Sequence, residues 1–85
     1  MTVQTEFPIV GIGASAGGVE ALEGFFRGVP PKPGLAFVVL THLSPVRESH
    51  LPEVLQHYTG LKVQTATQDA EVLVDNVYVP VSYTH

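Results

Sequence analysis

The sequence predicts an α/β domain built on a partial doubly wound parallel sheet. Three observations lead there: two short apolar runs at 8–13 and 35–40, a helical apolar pattern after each, and glycines where the first run turns into its helix. A strand, helix, strand, helix, strand order with long connections builds right-handed βαβ units, and hence a parallel sheet with helices on its faces.

The first run, PIVGIG, is apolar without alternation, as suits a strand buried on both sides. Val19, Leu22 and Phe26 then fall at i, i+3 and i+7, with Phe25 beside them and Glu20 and Glu23 on the polar side. Gly28 and the Pro30-Pro31 pair end this helix. The second run, LAFVVL, is rich in β-branched and aromatic residues and makes the second strand, with Thr41 to Pro45 as its exit. Ser49 precedes Leu51, Val54, Leu55 and Tyr58 at helical spacing, so a second helix is expected to start there, with Pro52 tolerated in its first turn and Gly60 beyond its end. Lys62 to Thr65 reads as a third strand and Asn76 to Val79 as a fourth extended piece. Residues Asp69 to Asp75 read as a turn with some extended character, both aspartates shaping it. The last six residues, 80–85, form a tail of unclear origin. One domain over 1–85 is expected, a truncated Rossmann-like three-layer arrangement.

Composition narrows the function. The chain has 85 residues, 45% hydrophobic and 14% charged, with a formal net charge of −4, which describes one small globular unit. Its acidic balance and four scattered basic residues give no electrostatic case for nucleic acid or an anionic membrane. With no cysteine there is no disulfide, thiolate metal site or cysteine nucleophile. The N-terminus lacks the basic and apolar regions of a secretory signal, and the longest apolar run is too short to span a bilayer, so a cytoplasmic protein without membrane insertion is expected. No cofactor and no metal are expected.

Residues 11–18 fit two chemistries. Gly11 to Ala16 matches the dinucleotide fingerprint GxGxxG/A, and Gly13 to Gly17 matches the nucleophile elbow GxSxG. A nucleotide site needs an acidic residue near the end of the second strand to hold the ribose, yet none occurs between Glu23 and Glu48. The elbow reading gains from the same place. Paired parallel strands lie about 4.8 Å apart, and Ser15 and His42 each follow the carboxyl end of such a strand. Serine needs a base within hydrogen-bond reach, and histidine is the usual one. Backbone N–H groups of Ala16, Gly17 and Gly18 can serve an oxyanion at a helix start. Other readings stay open: Ser15 as a helix cap, His42 as an ordinary strand-end residue, a Rossmann-like nucleotide binder, or a docking module without catalysis. His50 and His57, seven apart on one helix, are two turns or about 10 Å distant and read as surface residues.

The segments IVGIGASAGGVEAL, LAFVVLTHLSP, HLPEVLQHYTG and NVYV, in this order over about 7–79, resemble the N-terminal part of the catalytic domain of CheB-type chemotaxis protein-glutamate methylesterases. The resemblance implies a serine hydrolase that demethylates, and also deamidates, methyl-accepting chemotaxis receptors within a two-component phosphorelay. It places the family's serine on Ser15 and its histidine on His42. The aspartate of the family's triad has no counterpart in these residues, so the isolated chain is expected to be inactive or nearly so. Ala16 stands where many members have threonine, a variant familiar from members fused to a receptor methyltransferase. No receiver domain is expected ahead of the first strand, and a receptor methyltransferase or a receiver domain is expected as a partner. Finally, Phe25, Phe26, Leu35 and Phe37 are expected to face missing elements, which implies a homo-oligomer.

Overall fold

A computed structural model describes residues 2–3, 7–14, 19–41, 45–67 and 70–80. In chain order the elements are β1 (Thr2–Val3), β2 (Ile9–Ala14), α1 (Val19–Arg27), β3 (Ala36–Thr41), α2 (Pro45–Gln56), β4 (Lys62–Ala66), β5 (Glu71–Val72) and β6 (Asn76–Pro80). The main sheet is four-stranded and parallel in the order β2-β3-β6-β4, and β1 pairs with β5 in a two-stranded parallel ribbon. The α/β class with a partial parallel sheet is therefore what the chain forms.

The order of strands in the sheet differs from their order in the chain. Consecutive strands pair at β2–β3, but β6 inserts between β3 and β4. Its Val77, Tyr78 and Val79 are all buried, the pattern of a central parallel strand covered on both faces. A short piece at the end of the sequence thus becomes the middle of the sheet.

Both helices lie on the same face of this sheet. Leu22 and Phe26 of α1 and Leu51 and Leu55 of α2 form one buried cluster with Phe37, Val39, Val77 and Val79, against which Val10, Ile12 and Val63 pack. Strand progression in one direction from β2 explains it, because right-handed crossovers then all fall on one side. The alternate strand residues Ala36, Ala66 and Tyr78 face the other way, where Val72 of β5 covers them together with Phe7, Val38 and Ala70. The Tyr78 hydroxyl accepts the Leu73 N–H at 2.7 Å, tying this second layer to the central strand.

The expectation that Phe26, Leu35 and Phe37 face missing elements does not hold. Phe26 and Phe37 are buried within the chain, and Leu35 is half-buried against the same cluster. Phe25, Phe26 and Phe37 meet edge-to-face with centroids 5.2 to 5.7 Å apart, the geometry that aromatic quadrupoles favour. Phe25 alone of the four remains exposed, at 45%.

Helix α2 also departs from expectation. It starts at Pro45, four residues before Ser49, so Pro52 sits in its interior and not in its first turn. Proline has no N–H to give to the carbonyl four residues earlier, and what holds the helix is the burial of Leu51 and Leu55 on either side of it. It ends at Gln56, so His57 lies in the following turn and the two histidines do not share a helix; both are exposed, as expected of surface residues. The end is fastened by the Gln56 amide, which donates to the Thr59 and Leu61 carbonyls at 3.2 and 2.7 Å and accepts the Val63 N–H at 3.0 Å. One side chain therefore docks the helix terminus onto the start of β4.

At the amino edge of the sheet, Asp75 shapes its turn as expected. It takes a left-handed conformation with φ 61°. Its N–H donates to the Leu35 carbonyl at 2.8 Å, and its carboxylate accepts the Gly34 N–H at 2.8 Å. This clasp joins the entries of β3 and β6. Asp69 lies outside the described residues.

Two stability predictions follow from this packing. Phe26→Ala should cost about 3–5 kcal/mol, whereas Phe25→Ala should cost less than half as much. Urea melts of the two variants check it, and equal losses would contradict the assigned core. At Asp75, asparagine should preserve stability, because it keeps a carbonyl acceptor and tolerates the left-handed region. Alanine should lose both features and cost about 1–3 kcal/mol, with glycine between them. Alanine melting like asparagine would show that the clasp contributes nothing.

Candidate active site

Parallel pairing of β2 on β3 sets the site's geometry. The register runs without a break from Ile9 opposite Ala36 to Ala14 opposite Thr41. The two strands therefore end at the same level, as neighbours in the sheet. Ser15 and His42 are the residues that follow Ala14 and Thr41 in the sequence. Both lie outside the described residues, as do Ala16, Gly17 and Gly18, the expected oxyanion donors.

The surroundings of that strand end are described. Helix α1 starts at Val19, five residues after Ala14, and α2 starts at Pro45, four residues after Thr41. In a parallel sheet each helix begins at the carboxyl edge of the strand before it, so both N-termini fall at the edge where β2 and β3 stop. Their first N–H groups lack intrahelical acceptors and carry the positive end of the helix dipole. Two such ends at one edge favour negative charge developing there, the requirement of an ester's tetrahedral intermediate. Glu20, exposed in the first turn of α1, is the acidic side chain described near this edge, and its exposure leaves it well solvated.

Leu40 stands one residue before the strand end and is 55% exposed, on the face opposite the helices. Its partner across the pair is Gly13. Neither Gly11 nor Gly13 has any atom within 4 Å of where a Cβ would stand, so that face of β2 is open. The glycines at 11 and 13 thus keep the sheet surface beside the strand end low and accessible.

The described aspartate does not lie at the carboxyl edge of β2 and β3. Asp75, fixed to Gly34 and Leu35, lies at the amino edge, and the length of β3 separates it from the carboxyl edge by about 17–20 Å. His50 is exposed on α2, and His57 sits past its end beside the entry of β4, again at the amino edge. Among the described residues no cluster of histidine, aspartate and glutamate could hold a metal ion, and no helix is long and apolar enough to cross a membrane.

No curated protein matches the chain significantly. A family model does: that of CheB methylesterase, over residues 10–85. The matched stretch takes in all of the main sheet except Ile9, both helices and the two strand ends that precede Ser15 and His42. On this match, and on a parallel sheet of the expected kind, the chain belongs to the CheB methylesterase family.

Proposed function

We propose that Ser15 and His42 are the nucleophile and general base of a protein-glutamate methylesterase that acts on methyl-accepting chemotaxis receptors in the cytoplasm. The observation that carries this reading is the β2–β3 register, which ends two strands side by side immediately before those two residues, inside a match to a methylesterase family. Serine and histidine following neighbouring parallel strands is the spacing that a hydrogen-bonded nucleophile and base require.

The chemistry is acyl transfer. The Ser15 hydroxyl attacks the glutamyl ester carbonyl while His42 takes its proton, and backbone N–H groups of Ala16, Gly17 and Gly18 receive the oxyanion. The tetrahedral intermediate collapses with loss of methanol, which carries away the proton that His42 returns. Water, activated by the same imidazole, then attacks the acyl-enzyme and releases a free glutamate on the receptor together with the serine hydroxyl. A glutamine side chain reacts by the same steps with ammonia as the leaving group. A receptor methyltransferase or a receiver domain is the natural associate of such an activity.

In this reading the third member of the triad comes from outside these 85 residues. Asp75 stands a strand length from the carboxyl edge, and loss of such an acid typically costs about 10⁴-fold in rate. The isolated chain should therefore react slowly with a fluorophosphonate probe, at Ser15 alone, and release methanol from methyl-esterified receptor near the background rate. Peptide mapping of the labelled chain checks the first part, with Ser15→Ala abolishing label and His42→Ala slowing it. Label on another residue would overturn the nucleophile assignment. Rapid methanol release would instead mean that an acid within the 85 residues serves the site. A chain that neither labels nor turns over, yet binds receptor, would be a docking module.

A further inference from the structure

Helix α2 is fastened at its carboxyl end. The Gln56 side chain bonds to Thr59, Leu61 and Val63, and Leu51 and Leu55 are buried in the cluster that covers the sheet. Ahead of Leu51 the described side chains, Ser49 and His50, are both exposed. The anchored part of the helix thus begins at Leu51, while residues 45–50 lie toward the carboxyl edge of the sheet.

Pro52 falls at the boundary between these two parts. In an unbroken helix the N–H of residue 52 donates to the carbonyl of Glu48; proline removes that donor, and its ring crowds the same carbonyl. The turns ahead of it keep the bonds from the N–H groups of Ser49, His50 and Leu51 to the carbonyls four residues back. So short a stretch is not a stable helix by itself, because nucleation costs more than a few bonds return. Unwinding it also gives up little burial, since Ser49 and His50 already face solvent. Unwinding past Pro52 would instead expose Leu55, which is wholly buried. Packing and the missing bond therefore set the same limit to a local opening.

We propose that residues 45–50 are a flap that opens about Pro52 while the rest of the domain stays folded, and that this opening admits substrate to the carboxyl edge. Residues 43 and 44 alone separate Pro45 from His42 in the sequence, so the flap adjoins the place where β3 ends beside β2. Segments that gate a site are drawn from the low-stability end of a structure, and a substrate carried on a folded protein needs such an entry. The gating role rests on the hydrolase reading. The flap itself rests on Pro52 and the burial pattern, and is tested without any activity.

Amide hydrogen exchange of the 85-residue chain, read residue by residue by NMR and corrected for intrinsic rates, is the test. The N–H groups of Ser49, His50 and Leu51 should exchange at least about tenfold faster than those of Leu55 and Gln56. Pro52→Ala restores the missing donor and should slow the first three by at least about tenfold, with Leu55 and Gln56 changed less. Glu53→Ala, at the exposed next position, restores no donor and should leave all five within about twofold of the wild type. Equal protection on both sides of Pro52 in the wild type would overturn the flap, and so would unchanged exchange in Pro52→Ala. The gate is read from fluorophosphonate labelling of Ser15, which Pro52→Ala should slow by the same factor as the exchange, because labelling then follows the open population. Slower exchange with undiminished labelling would overturn the gate. Label on a residue other than Ser15, with exchange as expected, would support the flap while overturning both the gate and the nucleophile assignment.

Discussion

The arrangement of the sheet's carboxyl edge depends on the in-register parallel pairing of β2 with β3. Six consecutive residue pairs fix the relative height of the two strands, so that Ala14 and Thr41 finish together. A slip of one residue would reverse which side chains of β2 meet the helices. Val10 and Ile12, packed on the helix-side cluster, and the paired Phe37 and Val39 are what prevent that slip. The hydrophobic alternation that stabilises the sheet is thus the same feature that places two strand ends side by side.

The two faces of the sheet hold it together in different ways. The helix face is a conventional core in which the aromatic trio and the leucines of both helices interdigitate. On the opposite face small residues, Ala36 and Ala66, let the short β5 segment approach closely, and the Tyr78 hydroxyl secures it. Cover on that side extends over β6 and β3 but fades toward β2, where Leu40 and Ile9 reach solvent. Elsewhere polar side chains act as fasteners at the amino edge: Gln56 docks α2 on β4, and Asp75 joins the turns before β3 and β6. These clasps lie at the opposite edge from the carboxyl ends of β2 and β3.

Much of this was legible in the residues. Apolar runs and helical spacing located β2, α1, β3 and the body of α2 because each signal is local. The glycine-serine turn and the histidine after the second strand pointed to one edge, and the register of β2 on β3 agrees with that placement of the strands. What could not be read was non-local. Nothing in Asn76 to Pro80 says that it enters between β3 and β4, and β1 and β5, two residues each, are too short to carry a pattern. The start of α2 was misplaced because Ser49 and Pro52 look like a helix opening, whereas Pro45 already occupies the first position, where a missing N–H costs nothing. The aromatic residues misled for a related reason. Phe26 and Phe37 look excessive for so small a domain until they are seen to fill one another's space.

The central claim is that Ser15 and His42 stand next to each other at the carboxyl edge. Because the chain contains no cysteine, it can be tested with two introduced thiols. Neighbouring parallel positions lie about 4.8 Å apart, within the span of roughly 4.4–6.8 Å that a disulfide bridges. Under mild oxidation the Ser15→Cys, His42→Cys double variant should close an intramolecular disulfide. The Ser15→Cys, His57→Cys pair, with its second thiol at the amino edge, should not. Two thiols that stay free in the folded first variant, or a bridge that forms only in the second, would contradict the shared edge.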